Sequence, residues 1–80
     1  MAEARVGDIK LYHDSGDIYK VEVLDLKDRA DEGKEGVEYR LKLLEAVDVV
    51  AINPLKSGLE LTVWKSNDAG PYHWWHLSDR

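Results

Sequence analysis

The chain has no cysteine and no phenylalanine, two prolines and one methionine, and no apolar run longer than the four residues 49–52. Each absence excludes something. Without cysteine there is neither a disulfide framework nor a thiolate metal site, so the chain must fold on packing alone. An apolar run that short cannot span a bilayer, which takes about 20 residues. The opening Met-Ala-Glu-Ala-Arg lacks the apolar stretch of a secretory signal. The expected location is therefore cytoplasmic, with no membrane association. Basic residues are also in deficit: 11 Lys and Arg stand against 16 Asp and Glu, a net charge of −5. That balance disfavours a protein that tracks nucleic-acid phosphates, whose footprint is a basic face.

What remains is a small acidic domain. A chain of 80 residues buries roughly 60–65% of the surface its unfolded form exposes, so its core is modest. Val, Leu and Ile are interleaved with charges along most of the length, which excludes global disorder. Residues 1–5 are expected to form a flexible N-terminus and residues 6–80 one domain.

The interleaving has the period of strands. Ile9–His13 alternates apolar and polar residues, and Asp14-Ser15-Gly16-Asp17 reads as a turn. From Ile18 to Leu26 the apolar residues Tyr19, Val21 and Val23 share a face; at Leu24 and Leu26 the phase slips by one, which predicts a β-bulge or a strong bend. Residues 27–36 predict a charged, solvated loop at a hairpin tip. Its carboxylates do not fit a calcium loop: counting from Asp28, Ala30 stands at position three and Tyr39 at position twelve. Val37–Leu43 is the cleanest strand, with Val37, Tyr39, Leu41 and Leu43 on one side. A helix from Val37 to Ala51 competes, since Leu44, Val47 and Ala51 fall at helical spacing, but strict alternation favours strand. Val47–Ile52 and Leu59–Lys65 predict a further hairpin around the loop 53–58. Tyr72–Leu77 predicts a last strand, ending in a helical turn at Ser78-Asp79. Five or six short strands without a helix predict an all-β fold, a small antiparallel barrel or sandwich.

Val6-Gly7-Asp8-Ile9-Lys10, Gly16-Asp17-Ile18-Tyr19-Lys20-Val21-Glu22-Val23, Val37-Glu38-Tyr39-Arg40-Leu41-Lys42-Leu43 and the closing Trp75-His76-Leu77-Ser78-Asp79 resemble the SH3-like barrels, including Tudor-type and related bacterial accessory domains. The resemblance implies a small SH3-like antiparallel barrel of five to six strands acting as a non-catalytic binding or accessory module. The hairpin Val47–Lys65 exceeds what a minimal barrel of that kind needs, and phenylalanine is missing where such barrels often carry it.

The aromatics are concentrated at one end: Trp64, Trp74 and Trp75 lie in the last seventeen residues, beside Tyr72, His73 and His76. On a strand Tyr72, Trp74 and His76 share one face and His73, Trp75 and Leu77 the other, which predicts Trp75 and Leu77 inside and Trp74 at the surface. An exposed tryptophan between Tyr and His suggests a contact site, and Trp64, Tyr72, Trp74 and His76 are the expected partner-binding residues. The expected partner is a protein, or a second copy of the chain joined through an exposed edge strand. A basic partner would also be steered by the loop 27–36.

Other readings have thinner support. A Tudor-type resemblance implies an aromatic cage from Tyr12, Tyr19, Trp64 and Trp74 for a methylated cation, with Asp14 and Asp17 nearby. Three histidines, with His73 and His76 on opposite faces of a strand, do not make up the three or four ligands of a zinc site. Ser15, Ser57, Ser66 and Ser78 sit at turns or the terminus, where serine serves the backbone, so no nucleophile is indicated, no enzyme is expected and no cofactor is called for. Nucleic-acid association is the alternative function, resting on stacking aromatics and on Lys10, Lys20, Arg40, Lys42 and Lys65 gathered on one outward face.

Overall fold

A computed structural model describes residues 4–52, 54–69 and 73–79. Their regular structure is all β: β1 (Ile9–Asp14), β2 (Asp17–Asp31), β3 (Lys34–Asp48), β4 (Glu60–Ser66) and β5 (Trp75–Ser78). They form a single antiparallel sheet in the order β4-β3-β2-β1-β5. The first four strands run up and down as a meander, and β5 returns to pair with β1.

The two tight turns follow from local chemistry. Ser15-Gly16 and Glu32-Gly33 each place both residues at positive φ. A type I′ hairpin turn needs that conformation, and its twist matches that of the flanking strands. The charged stretch 27–36 is therefore not a loop. β2 continues to Asp31 and β3 begins at Lys34, so all but the two turn residues lie in a paired ribbon. Alternation is invisible there because both faces are wet. Cross-strand charge pairing stands in its place: Lys27 and Arg29 reach Glu38 at 3.2 and 2.6 Å.

The apolar face of the meander collects Tyr12, Tyr19, Val21, Val23, Val37, Tyr39, Leu41 and Leu43, all buried, with Leu61, Val63 and Leu77 packed against them. Three register shifts interrupt the β2–β3 ladder, skipping Leu24 in β2 and Leu44 and Val47 in β3. Each bulge bends its strand and adds twist, and together they curl one sheet around its own core. The phase slip at Leu24 is borne out. Leu44 and Val47 also explain the helical spacing in this region: a bulged residue breaks period two and leaves a pattern that mimics a helical turn.

Other expectations need correction. Val47 and Asp48 end β3, and residues 49–52 form no strand; β4 pairs instead with residues 36–42 of β3. Of the predicted hairpin, the second arm is β4, whereas the first survives only as Val47 and Asp48 at the end of β3, and the described strands number five. Ser78 belongs to β5, so the expected helical turn at its end is absent. At the other end, Ala4 is buried in the core cluster, and the Arg5 N–H donates to the Asp8 carboxylate at 3.0 Å.

Among the described residues no backbone ladder joins β4 to β5, so the sheet is not a closed barrel. A side chain spans the gap. The Trp75 indole N–H on β5 donates to the Trp64 carbonyl on β4 at 3.2 Å. The Lys65 ammonium lies 4.4 Å from the centre of the same ring.

Candidate functional site

β1 and β5 build the site. Trp75 sits opposite Asp14, Leu77 opposite Tyr12 and His76 opposite His13. This register sends Trp75 and Leu77 to the core side and His76 outward, as alternation predicts. Trp75 is 0% exposed, with its ring 5.9 Å from Tyr12 and 5.6 Å from Tyr39. Trp74, one residue earlier, is 55% exposed. Its backbone is pinned, because the Ser15 N–H at the β1–β2 turn donates to the Trp74 carbonyl at 3.0 Å. Among the described residues its ring contacts are with His73, at 5.8 Å, and the edge of Trp75, at 6.4 Å. A large ring is thus held outward on a fixed main chain.

Of the other predicted contact residues, neither Trp64 nor His76 makes a ring contact with Trp74 among the described residues. Tyr72 lies outside the described residues. Trp64 projects from β4 on the outer face, lies across Gly36 and donates its indole N–H to the Arg29 carbonyl at 2.9 Å; no ring contact joins it to Trp74 among the described residues. His76 stacks on His13, centroids 4.2 Å apart and planes 8° apart. The aromatic cage fails for a plain reason. Tyr12 and Tyr19 are buried, and their hydroxyls are engaged, Tyr12 donating to Asp14 at 3.2 Å and Tyr19 accepting from the Leu55 N–H at 3.2 Å. Burial, then the nearby Asp14 charge, pushes the Tyr12 phenol well above its ordinary range.

The five basic residues named from the sequence divide as well. Lys20, Arg40 and Lys42 have outer-face positions. Lys10 shares the inward phase of Tyr12 and is ion-paired with Asp79, and Lys65 packs on the core ring Trp75. Arg40 is paired with Glu60 at 3.3 Å. No single basic face results. A groove of about 480 Å³ runs along the ribbon, lined by Asp28, Arg29, Ala30, Glu35, Gly36 and Asn67, and it too mixes both signs of charge.

One contact had no signal in the sequence. His13 Nε2 and Ser78 Oγ lie 2.8 Å apart on neighbouring strands. Among the described residues no carboxylate holds the other His13 nitrogen, so the orienting third member of a hydrolytic triad is missing. Nor do any three or more described His, Asp or Glu side chains converge as metal ligands.

His13 should make the fold sensitive to acid. Burial, then the neighbouring His76 charge, holds the His13 imidazole below its ordinary value. In the unfolded chain His13 takes up a proton near pH 6.5, before it does so in the folded state. Its contribution to stability is therefore full above about pH 6.5 and is lost as the pH falls through the lowered folded-state value. The thermal midpoint should drop between about pH 7.5 and pH 5.5, and His13→Gln should flatten that drop in calorimetry. An unchanged slope in His13→Gln would place the acid sensitivity elsewhere.

Comparison with protein-family models, with characterised proteins and with solved structures finds no match for this chain.

Proposed function

We propose that the chain is a non-catalytic interaction module, a small barrel of the SH3-like kind, that grips a protein partner through the surface around Trp74. The barrel reading is supported by a meander whose fifth strand returns to the first, by the three bulges that curl it, and by the Trp75 indole spanning β5 and β4. The observation that carries the contact site is the half-exposed Trp74 ring on a pinned backbone. Rigid, partly exposed tryptophans are favoured anchors, because they bring large contact area at little cost in side-chain freedom.

Trp74→Ala tests this. A partner captured from a lysate of the source organism by the wild-type chain should be lost with the variant, while stability changes by no more than about 0.5 kcal/mol, as expected for a surface substitution. A large fall in the thermal midpoint would make Trp74 a packing residue and remove the site.

A further inference from the structure

The surface around Trp74 has a chemical character that its aromatic ring alone does not specify. Two segments flank the β1–β2 turn and are tied to it: the Ser15 N–H donates to the Trp74 carbonyl, and the Val50 N–H donates to the Asp17 carboxylate, each at 3.0 Å. Trp74 and Val50 therefore lie at the same end of the sheet, and both are exposed, Val50 to 83%. Val47, the bulged residue between Ala46 and Asp48, is exposed at that end as well.

Acidic charge gathers at this end, while the Lys65 ammonium lies against the Trp75 ring. Asp14 and Asp17 are cross-strand partners closing the β1–β2 hairpin, and Asp48 stands opposite Ile18 on the next strand. Residues 11–19, 46–52 and 73–78 contain no Lys or Arg. Asp14 and Asp17 each accept one hydrogen bond, while the Asp48 carboxylate makes no hydrogen bond or ion pair among the described residues. The cations of the β2–β3 ribbon lie at the far end, where Lys27 and Arg29 are held by Glu38. Two copies meeting through this end would bring three aspartates against three, so an isologous dimer is disfavoured there.

Resting on the Trp74 reading above, we propose that this end of the sheet docks a basic segment of a partner protein, an apolar side chain seated against Trp74 and Val50 and flanking Lys or Arg residues paired with Asp14, Asp17 and Asp48. Apolar anchorage supplies the holding contact, and the aspartates select the sign of the partner and raise the rate of encounter.

The test uses fluorescence anisotropy with three labelled peptides of equal length: alternating Leu and Lys, alternating Leu and Glu, and alternating Ser and Lys. The Leu–Lys peptide should bind, more weakly as salt rises, and the other two should bind at least about tenfold more weakly. Asp48→Asn should weaken binding roughly two- to fivefold, and the triple change Asp14→Asn, Asp17→Asn and Asp48→Asn about tenfold or more, as expected for exposed ion pairs. Asparagine keeps an acceptor oxygen for Tyr12 and for the Val50 N–H, so folding should survive, and a thermal melt confirms it. Glu35→Gln on the distant ribbon should change nothing. Equal binding of the Leu–Glu peptide, an unaffected triple variant, or tighter binding of a labelled single-stranded oligonucleotide than of the Leu–Lys peptide overturns the proposal. If Trp74→Ala abolishes binding while the asparagine variants retain it, the contact site stands and the basic partner falls. If the asparagine variants weaken binding and Trp74→Ala does not, the Trp74 site itself falls.

Discussion

Trp75→Ala should strip the chain of much or all of its stability. The ring is wholly buried, touches Tyr12, Tyr39 and His73, and provides the described hydrogen bond between the two edge strands. Truncating a buried aromatic to alanine costs about 3–5 kcal/mol, and loss of the indole donor adds the desolvation of the Trp64 carbonyl. A domain of this length has a net stability of roughly 4–12 kcal/mol, so a single change consumes much or all of it. Urea unfolding followed by circular dichroism measures the effect. Trp75→Phe separates the two contributions: it keeps an aromatic body against Tyr12 and Tyr39 but has no donor for Trp64, so it should fold with a lowered midpoint. A cooperative melt in Trp75→Ala close to that of the wild type would mean that the core is not organised around this ring.

Gly36→Ala should be the costliest one-carbon addition. A Cβ at this position would press into the Lys65 carbonyl oxygen and lie 2.7 Å from two ring carbons of Trp64. Backbone that close cannot swing aside as a flexible side chain does, so either β4 shifts away from β3 or the indole lifts off. Overpacking of this kind costs about 1–3 kcal/mol. It should also break the Trp64–Arg29 hydrogen bond, shifting tryptophan emission to the red as that ring becomes wet. In a Trp64→Ala background the penalty should shrink without vanishing, because the Lys65 carbonyl remains in the way. A Gly36→Ala chain as stable as wild type would show that glycine serves no packing purpose there.

The readable parts of the fold are those where one face is wet and the other dry. Residues 37–43 and 19–23 alternate because their neighbours alternate, and the slip at Leu24 gave away its bulge for the same reason. Residues 27–36 defeat that logic. A ribbon solvated on both sides has no apolar phase, and its Asp, Lys and Gly content is that of a loop. The two bulges in β3 acted in the opposite direction, importing a helix-like rhythm and prompting a separate strand at 47–52. At the site, alternation placed Trp75 and Leu77 inward and left Trp74 outside. What alternation cannot supply is which strands become neighbours. The stacking of His13 on His76 and the seat of Trp64 over Gly36 depend on register between distant segments, and no local pattern encodes that.

The order in which the pieces become available along the chain has a consequence of its own. The meander rests on neighbouring strands, two of its connections being two-residue turns, so it can assemble as synthesis proceeds. Its pairing with β5 joins partners such as His13 and Ser78, 65 positions apart. Until that late segment leaves the ribosome, Tyr12 and Tyr39 face a vacant seat. A nascent chain stalled before residue 73 would be a greasy, half-lined cup and a natural client for a chaperone, whereas arrival of a single indole turns it into a finished domain.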